Sequence, residues 1–482
     1  MSHPEGAIRE GNGARWAVPA VPAAVALAVN LWGLSAASPW RDEAATLSAA
    51  RRPLGELVRL LAHIDAVHGL YYLFMHGWTA LFGTGVAVVR LPSVVAVAVT
   101  AGVTAVLGRR LADDRTGMTA GLLVALSPVL SRYGQETRQY AVAAAVAAVS
   151  TLLLVRALER GDRRSFALYG ASVALVGWVH LFTLLLLPVH AVALWGVRHD
   201  RAVPSRWGLS AAGGLAAVLP LALVALPQRS RQVEWIPSPT LDQVRTLYDA
   251  MAGDRVLVGP VVVLGAMAFW RRFGRGPVEL RTLAVAWAML PPALLLGISL
   301  VEPSYVLRYV VFCVPGVALL TAAGLRSVPF RAVPAVVLVM AALTVPMHLS
   351  VRQQDSRPDD LRRLAHLIRE RREPGDAVVF AHRYYRRVTA ADPGAFRGLR
   401  DVTSREPAGR IGDLQDSEVT DEATLWRRLA GVDRIWWIAN STKTPPAPES
   451  TLKERVIVRS GVFRRVRTLR FKGGRLILYV RR

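Results

Sequence analysis

Asp42 and Glu43 stand side by side just after the first long apolar run. The stretch they open, residues 40–78, closes on Asp65, His68, Tyr71, Tyr72 and His76. A connection between membrane helices is rarely this long or this rich in ionisable and aromatic groups. Three more loops carry charge at apolar borders: SRYGQETRQY (131–140) with Arg132, Glu136 and Arg138; QRSRQVEW (228–235) with Arg229, Arg231 and Glu234; and EPSYVLRY (302–309) with Tyr305 and Arg308. Arginine offers a planar fork suited to phosphate oxygens. A carboxylate beside it can take the proton of a hydroxyl nucleophile. Together they suit a substrate whose lipid tail stays in the bilayer while its phosphate and sugar meet an acceptor in water.

The elements that must position these groups are membrane helices. Of 482 residues 52% are hydrophobic, the mean hydropathy is +0.32, and the apolar residues lie in long blocks. With roughly 20 residues per crossing, about eleven spans are expected before Ser350. They lie near 16–37, 86–107, 117–130, 140–155, two within 166–195, 207–226, 256–270, 283–300, 309–325 and 333–349. Arginine clusters follow alternate spans (Arg109, Arg110, Arg115; Arg156, Arg160, Arg163, Arg164; Arg198, Arg201, Arg206; Arg271, Arg272, Arg275; Arg326, Arg331). The positive-inside rule then puts the N-terminus and these clusters in the cytoplasm and the four polar loops outside. That parity requires residues 70–82 to be a short interfacial helix, a place that suits Tyr71, Tyr72 and Trp78.

The expected fold is therefore an α-helical polytopic membrane domain, residues 1–350, followed by a small extracytoplasmic α/β domain, residues 351–482. The latter is expected to hold an amphipathic helix over 359–371, strands over 377–380 and 434–439, and a hairpin of 466–471 with 476–480 around Lys472-Gly473-Gly474. The net charge of +24 is almost wholly arginine; its placement between apolar runs marks topology rather than nucleic-acid binding. Cys313, the single cysteine, excludes an intrachain disulfide and a cysteine zinc site. No HExxH or spaced acidic triad argues for a metal, although a divalent cation in the phosphate-stabilising role stays open.

Simpler roles compete for the same residues. Asp42 and Glu43 also read as solvated helix-start acids, His68 and His76 as interfacial packing, His180 and His190 as core. Arg132, Arg138, Arg229 and Arg231 also read as lipid headgroup contacts, and Arg308 as a snorkelling helix anchor.

The DEA motif at Asp42, DAVHGLYYLFMHGW with the following FG and RLPS (65–93), SP with SRYGQETRQYA (127–141) and PSYVLRY (303–309) together resemble the membrane-embedded GT-C glycosyltransferases, among them protein mannosyltransferases, aminoarabinose transferases and actinobacterial mannosyl- and arabinosyltransferases. The resemblance covers most of the membrane part and does not select a sugar. It implies inverting transfer from a polyprenyl-phosphate sugar, mannose first and arabinofuranose next, to an extracytoplasmic glycan, lipid or protein. Asp42 would be the general base and Glu43 its support. His68, where related enzymes carry a lysine, or arginines such as Arg308 would hold the donor phosphate, with Tyr305 and Arg138. Asp65, Tyr71, His76, Arg132, Glu136 and Arg231 would line the cavity. A transporter or flippase of lipid-linked saccharides and a non-catalytic cell-wall assembly subunit are the competing readings; Asp42, His68 and Arg308 lying far apart, or buried in mid-membrane facing a through-path, would favour the first, and a cavity filled by side chains the second.

Overall fold

The computed structural model describes residues 12–195, 202–230, 236–270, 278–440 and 448–482. The expected topology signals Arg9, Arg198, Arg201, Arg271, Arg272 and Arg275 lie outside them.

Apolar runs become helices because lipid gives backbone N–H and C=O groups no partner. Among the described residues five helices are long and apolar enough to cross a membrane: Val86–Leu111, Tyr140–Arg160, Ala202–Gln228, Leu280–Val301 and Phe330–Val351. A pair bent by 71°, Leu241–Ala252 with Arg255–Trp270, makes a sixth if counted as one span. Shorter apolar helices occupy Trp16–Leu31, Leu181–Leu194 and Val311–Leu325. The chain is a multi-pass membrane protein. The segment expected as one span over 117–130 is broken, because Ser127, held extended ahead of Pro128, separates helices Asp114–Ala125 and Pro128–Gly134.

The helices meet through small residues, which let backbones approach. A Cβ on Gly214 would stand 2.7 Å from the Gly170 carbonyl oxygen, and one on Gly324 would overlap the Leu264 carbonyl. Gly324→Ala therefore forces two helices apart. Its expected cost is about 1–3 kcal/mol, read as a lowered thermal unfolding midpoint in detergent.

Between α1 (Asn12–Leu31) and the long helix α5 (Val86–Leu111) the chain makes three short helices: α2 (Arg41–Ala50), α3 (Leu54–His63) and α4 (Gly69–Phe82). At 14 residues, α4 is roughly 21 Å long, shorter than a bilayer core of about 30 Å. It buries Tyr71, Tyr72 and Met75 and exposes Leu73, Phe74, Leu81 and Phe82, so one apolar face packs on protein and the other is open to lipid.

After Val351 the chain builds a five-stranded mixed sheet: β1 (Ala377–Phe380), β2 (Arg400–Asp401), β3 (Arg434–Asn440), β4 (Phe463–Phe471) and β5 (Gly474–Arg481), in the order β2-β1-β3-β5-β4. β1 is parallel to β2 and β3; β5 is antiparallel to β3 and β4. The two-residue β2 is too short to leave a sequence pattern. Helix Leu361–Arg371 packs its apolar face on one side of the sheet, where Val378, Phe380 and Trp436 share a core with Ala44 of α2. Leu414 likewise enters the core of α2, α3 and α4. The sheet unit thus caps the polar stretch that precedes α5.

Candidate active site

The site begins with how α2 is held. Pro53 and the extended Trp40 bound this short helix region, and the first turn of α2 carries both acids. Glu43 points inward. Its carboxylate takes the Arg90 guanidinium in a two-pronged pair (Nε to Oε1 2.9 Å, Nη2 to Oε2 2.8 Å) and the Thr137 N–H at 3.0 Å. Arg90 also donates to the Leu34 and Ala37 carbonyls at 2.9 and 3.0 Å. Burial opposes the charge of Glu43, but Arg90 outweighs it and holds the carboxyl below its ordinary value. With its oxygens used in this way, Glu43 fixes α2 rather than facing a cavity.

Asp42, next in the same turn, stays open: its side chain is 20% exposed and lies 3.7 Å from Arg308 Nη2. Arg308 is set on the turn Leu307–Tyr309 and lies over the rings of Tyr140 and Tyr309 at 5.7 and 5.6 Å. His180 and Phe182 pack on Tyr309 at 5.2 and 5.1 Å, so the floor beneath the guanidinium is aromatic. Burial opposes the Arg308 charge, while Tyr140 and Asp42 outweigh it and keep the group protonated.

A second cation lies behind. Arg138, buried, donates to Thr46 Oγ1 at 3.3 Å and to the Asp42 carbonyl at 3.5 Å, and its Nη2 meets His68 Nε2 at 3.3 Å. Because a guanidinium only donates, His68 Nε2 must accept, so Nδ1 carries the proton. The partner of Nδ1 is Gln139 Nε2 at 2.5 Å; an N–H at Nδ1 requires this amide turned over so that its oxygen accepts. Burial first, then Arg138, His180 and Arg308, push the His68 pKa well below its ordinary value. His68 is therefore neutral and holds Arg138 in place; the positive charge here belongs to Arg138 and Arg308. Arg138 Nε is buried without a hydrogen-bond partner among the described residues.

The other expected residues divide. Asp65, the one non-glycine residue among those described with positive φ (62°), accepts from the Tyr72 hydroxyl at 2.9 Å, and burial raises its carboxyl. Glu136 gives one oxygen to Trp40 Nε1 and the other to Arg132 Nη1, both at 2.6 Å, so these two brace the start of α2. Tyr71 is buried in the α2–α4 core. His76, expected in the cavity, instead bonds the Ala50 carbonyl through Nδ1 at 2.9 Å; α4 carries it toward the far end of α2. Tyr305 is buried with its hydroxyl unpartnered, and burial first and then Tyr133 raise its pKa to about 12. Arg231 and Glu234 lie outside the described residues.

Sequence reasoning missed two positioning residues. Arg90 was passed over inside an apolar span, where an arginine is costly enough to be a signal in itself. Asp359, fully buried, takes the Arg41 backbone N–H at 3.2 Å and its guanidinium at 2.7 and 2.8 Å. That clamp joins the sheet unit to the residue beside Asp42, and nothing local to either position announces it. Among the described residues no three His, Cys, Asp or Glu side chains come together to hold a metal ion.

Residues 69–224 match the family model described as dolichyl-phosphate-mannose-protein mannosyltransferase. ArnT from Cupriavidus metallidurans in the apo state has the same fold: TM-score 0.63 at 14% identity, covering 97% of this chain and 98% of that one. Over residues 69–224 the chain is similar to that family, and along most of its length it shares the ArnT fold. The chain is also similar to ArnT from Cupriavidus metallidurans bound to undecaprenyl phosphate (TM-score 0.53, 13% identity, 95% and 97% coverage). It matches the mycobacterial arabinofuranosyltransferase AftD with TM-score 0.50 at 18% identity, covering 97% of this chain and 41% of AftD. No curated protein matches the chain in sequence.

Proposed function

We propose that the chain moves a sugar from a polyprenyl-phosphate donor to a hydroxyl of an extracytoplasmic glycan, lipid or protein, with inversion at the anomeric carbon. The observation that carries this is the pairing of a solvent-reachable carboxylate, Asp42, with Arg308 at 3.7 Å and the buried Arg138 behind it. Asp42 takes the proton of the acceptor hydroxyl as its oxygen bonds to the anomeric carbon. The bond from that carbon to the phosphate oxygen breaks, and the electron pair leaves with the polyprenyl phosphate. Arg308 and Arg138 stabilise the charge that develops there, on an aromatic floor that keeps water away. Glu43, through Arg90, keeps the first turn of α2 in register, and His68 orients Arg138.

The donor class is supported by the mannosyltransferase family match over residues 69–224 and by the shared fold with an ArnT bound to undecaprenyl phosphate. We place eleven crossings before Ser350, α4 in the outer interface, and the site and the domain of residues 351–482 on the extracytoplasmic side. In that arrangement the arginine clusters of the short loops face the cytoplasm.

Membranes carrying the protein, incubated with a panel of labelled polyprenyl-phosphate sugars, test the proposal. Label is expected to pass from polyprenyl-phosphate mannose, with polyprenyl-phosphate arabinofuranose the second candidate. Transfer from nucleotide sugars alone would overturn the donor class.

A further inference from the structure

Arg138 and Arg308 both lie over the ring of Tyr140, at 5.8 and 5.7 Å. Two guanidiniums gathered on one ring repel each other, and they stand on segments far apart in the chain, 131–140 and 302–309. Such a pair converges on one anion only if both segments are held in a common frame. Arg138 is aligned by His68, so the frame must include the turn that carries His68 as well as the loop that carries Arg308.

One helix end touches both. The span Ala202–Gln228 ends in a buried glutamine whose side-chain bonds both leave its own helix. Gln228 Oε1 accepts the Ala66 N–H at 3.0 Å, and its Nε2 donates to the Leu61 carbonyl at 3.0 Å. Bridging those two backbone groups takes a side chain that both accepts and donates. Between them lies Asp65, in the left-handed region at φ 62° and ψ 22°, which a non-glycine residue keeps where its surroundings impose it. The Asp65 carbonyl accepts the His68 N–H at 2.9 Å, and this places the imidazole that meets Arg138. Ala66 also packs with Val218, Leu221 and Ala225 of the same span.

The next residue reaches the other segment. Arg229 pairs with Glu302, which caps the span Leu280–Val301 and opens the loop of Arg308. There the Ser304 N–H bonds Ser299 Oγ at 3.3 Å, and Ser304 Oγ donates to the Glu302 carbonyl at 3.0 Å, so the loop starts from a fixed point. Anchoring a helix end to a neighbour would account for either contact alone. Here two consecutive residues go to the two segments that set the cations.

We propose that Gln228 and Arg229 are positioning residues of the donor-phosphate site, holding the His68 turn and the Arg308 loop to one helix end so that Arg138 and Arg308 meet a single phosphate. That the anion is a lipid phosphate rests on the transfer reading above; the two contacts do not.

The test uses the full-length protein in phosphatidylcholine nanodiscs, with undecaprenyl phosphate as probe and undecaprenol as uncharged control. Wild type is expected to prefer the phosphate to the alcohol. Q228L, which strands the Ala66 N–H and the Leu61 carbonyl, is expected to bind undecaprenyl phosphate roughly five- to fiftyfold more weakly, with undecaprenol binding unchanged. Because Q228L also leaves buried groups without partners, the exposed pair supplies a second arm. R229E is expected to weaken phosphate binding roughly two- to fivefold at an unchanged unfolding midpoint, and R229E/E302R to restore it. Restoration marks a role exercised through the pair, which loss of fold or of a direct phosphate contact at position 229 would not show. Q228L and R229E binding the phosphate as wild type does, while wild type prefers it to the alcohol, would overturn the positioning role and leave the donor reading standing. No recovery in R229E/E302R would overturn the part assigned to Arg229. A wild type that does not distinguish phosphate from alcohol would overturn both the positioning role and the donor reading.

Discussion

Asp42→Asn is expected to reduce the proposed sugar transfer by roughly 10²–10⁴-fold while leaving the protein folded and membrane-inserted. Asparagine keeps the shape of the side chain and loses the capacity to accept a proton. The backbone around it is fixed independently, by the Glu43–Arg90 pair at 2.8 Å and by the Arg41–Asp359 clamp at 2.7 Å, so the substitution leaves α2 in place. Donor binding changes little, because Arg308 and Arg138 keep their charges; the loss falls on kcat rather than on the donor KM. The check is single-turnover transfer at saturating donor, with a donor-binding measurement beside it. Unchanged kcat removes Asp42 as the base, and loss of donor binding would move Asp42 into the phosphate-binding role.

Arg90→Met is expected to destabilise the helix bundle around α2. The substitution leaves Glu43 buried at 2% exposure with the Thr137 N–H and the more weakly acting Arg357 charge as its remaining support, and strips a donor from the Leu34 and Ala37 carbonyls. Breaking a buried pair from one side costs about 3–5 kcal/mol, expected as a large drop in the detergent unfolding midpoint and low expression. R90M/E43L, which removes both charges, recovers much of that stability. No recovery would mean that the carbonyl contacts of Arg90, rather than the ion pair, hold the turn after α1. The pH dependence has a definite sign. Burial alone would raise the Glu43 carboxyl, but Arg90 lowers it on balance, so its contribution to stability is present above the ordinary carboxylate pKa of about 4.3. It is lost as pH falls through the depressed folded value, and wild type is expected to lose more stability below that range than R90M/E43L does.

Neutral His68 changes how the phosphate site is understood. The resemblance allowed His68 or an arginine to meet the phosphate. A histidine between Arg138 at 3.3 Å and the Gln139 amide at 2.5 Å has both ring nitrogens occupied and cannot carry charge cheaply beside two guanidiniums. It acts on Arg138.

Sequence alone determined that the chain crosses a membrane many times, that its polar chemistry gathers in loops at the borders of apolar runs, and that a mixed helix and strand unit follows Val351. These follow from composition and period, since a backbone in lipid must bond to itself and an apolar four-residue run such as Ala377–Phe380 between turn residues makes a buried strand. Only the tertiary structure separated Asp42 from Glu43. The two acids are neighbours in sequence, and their different roles come from partners far along the chain: Arg90, 47 residues from Glu43, and Arg308 across the helix bundle from Asp42. The same holds for Arg41, whose partner Asp359 is 318 residues away. Residue type and spacing indicate which groups could carry charge; whether a given carboxylate is buried against a guanidinium or left open to substrate depends on which helices pack together, and no local pattern encodes that.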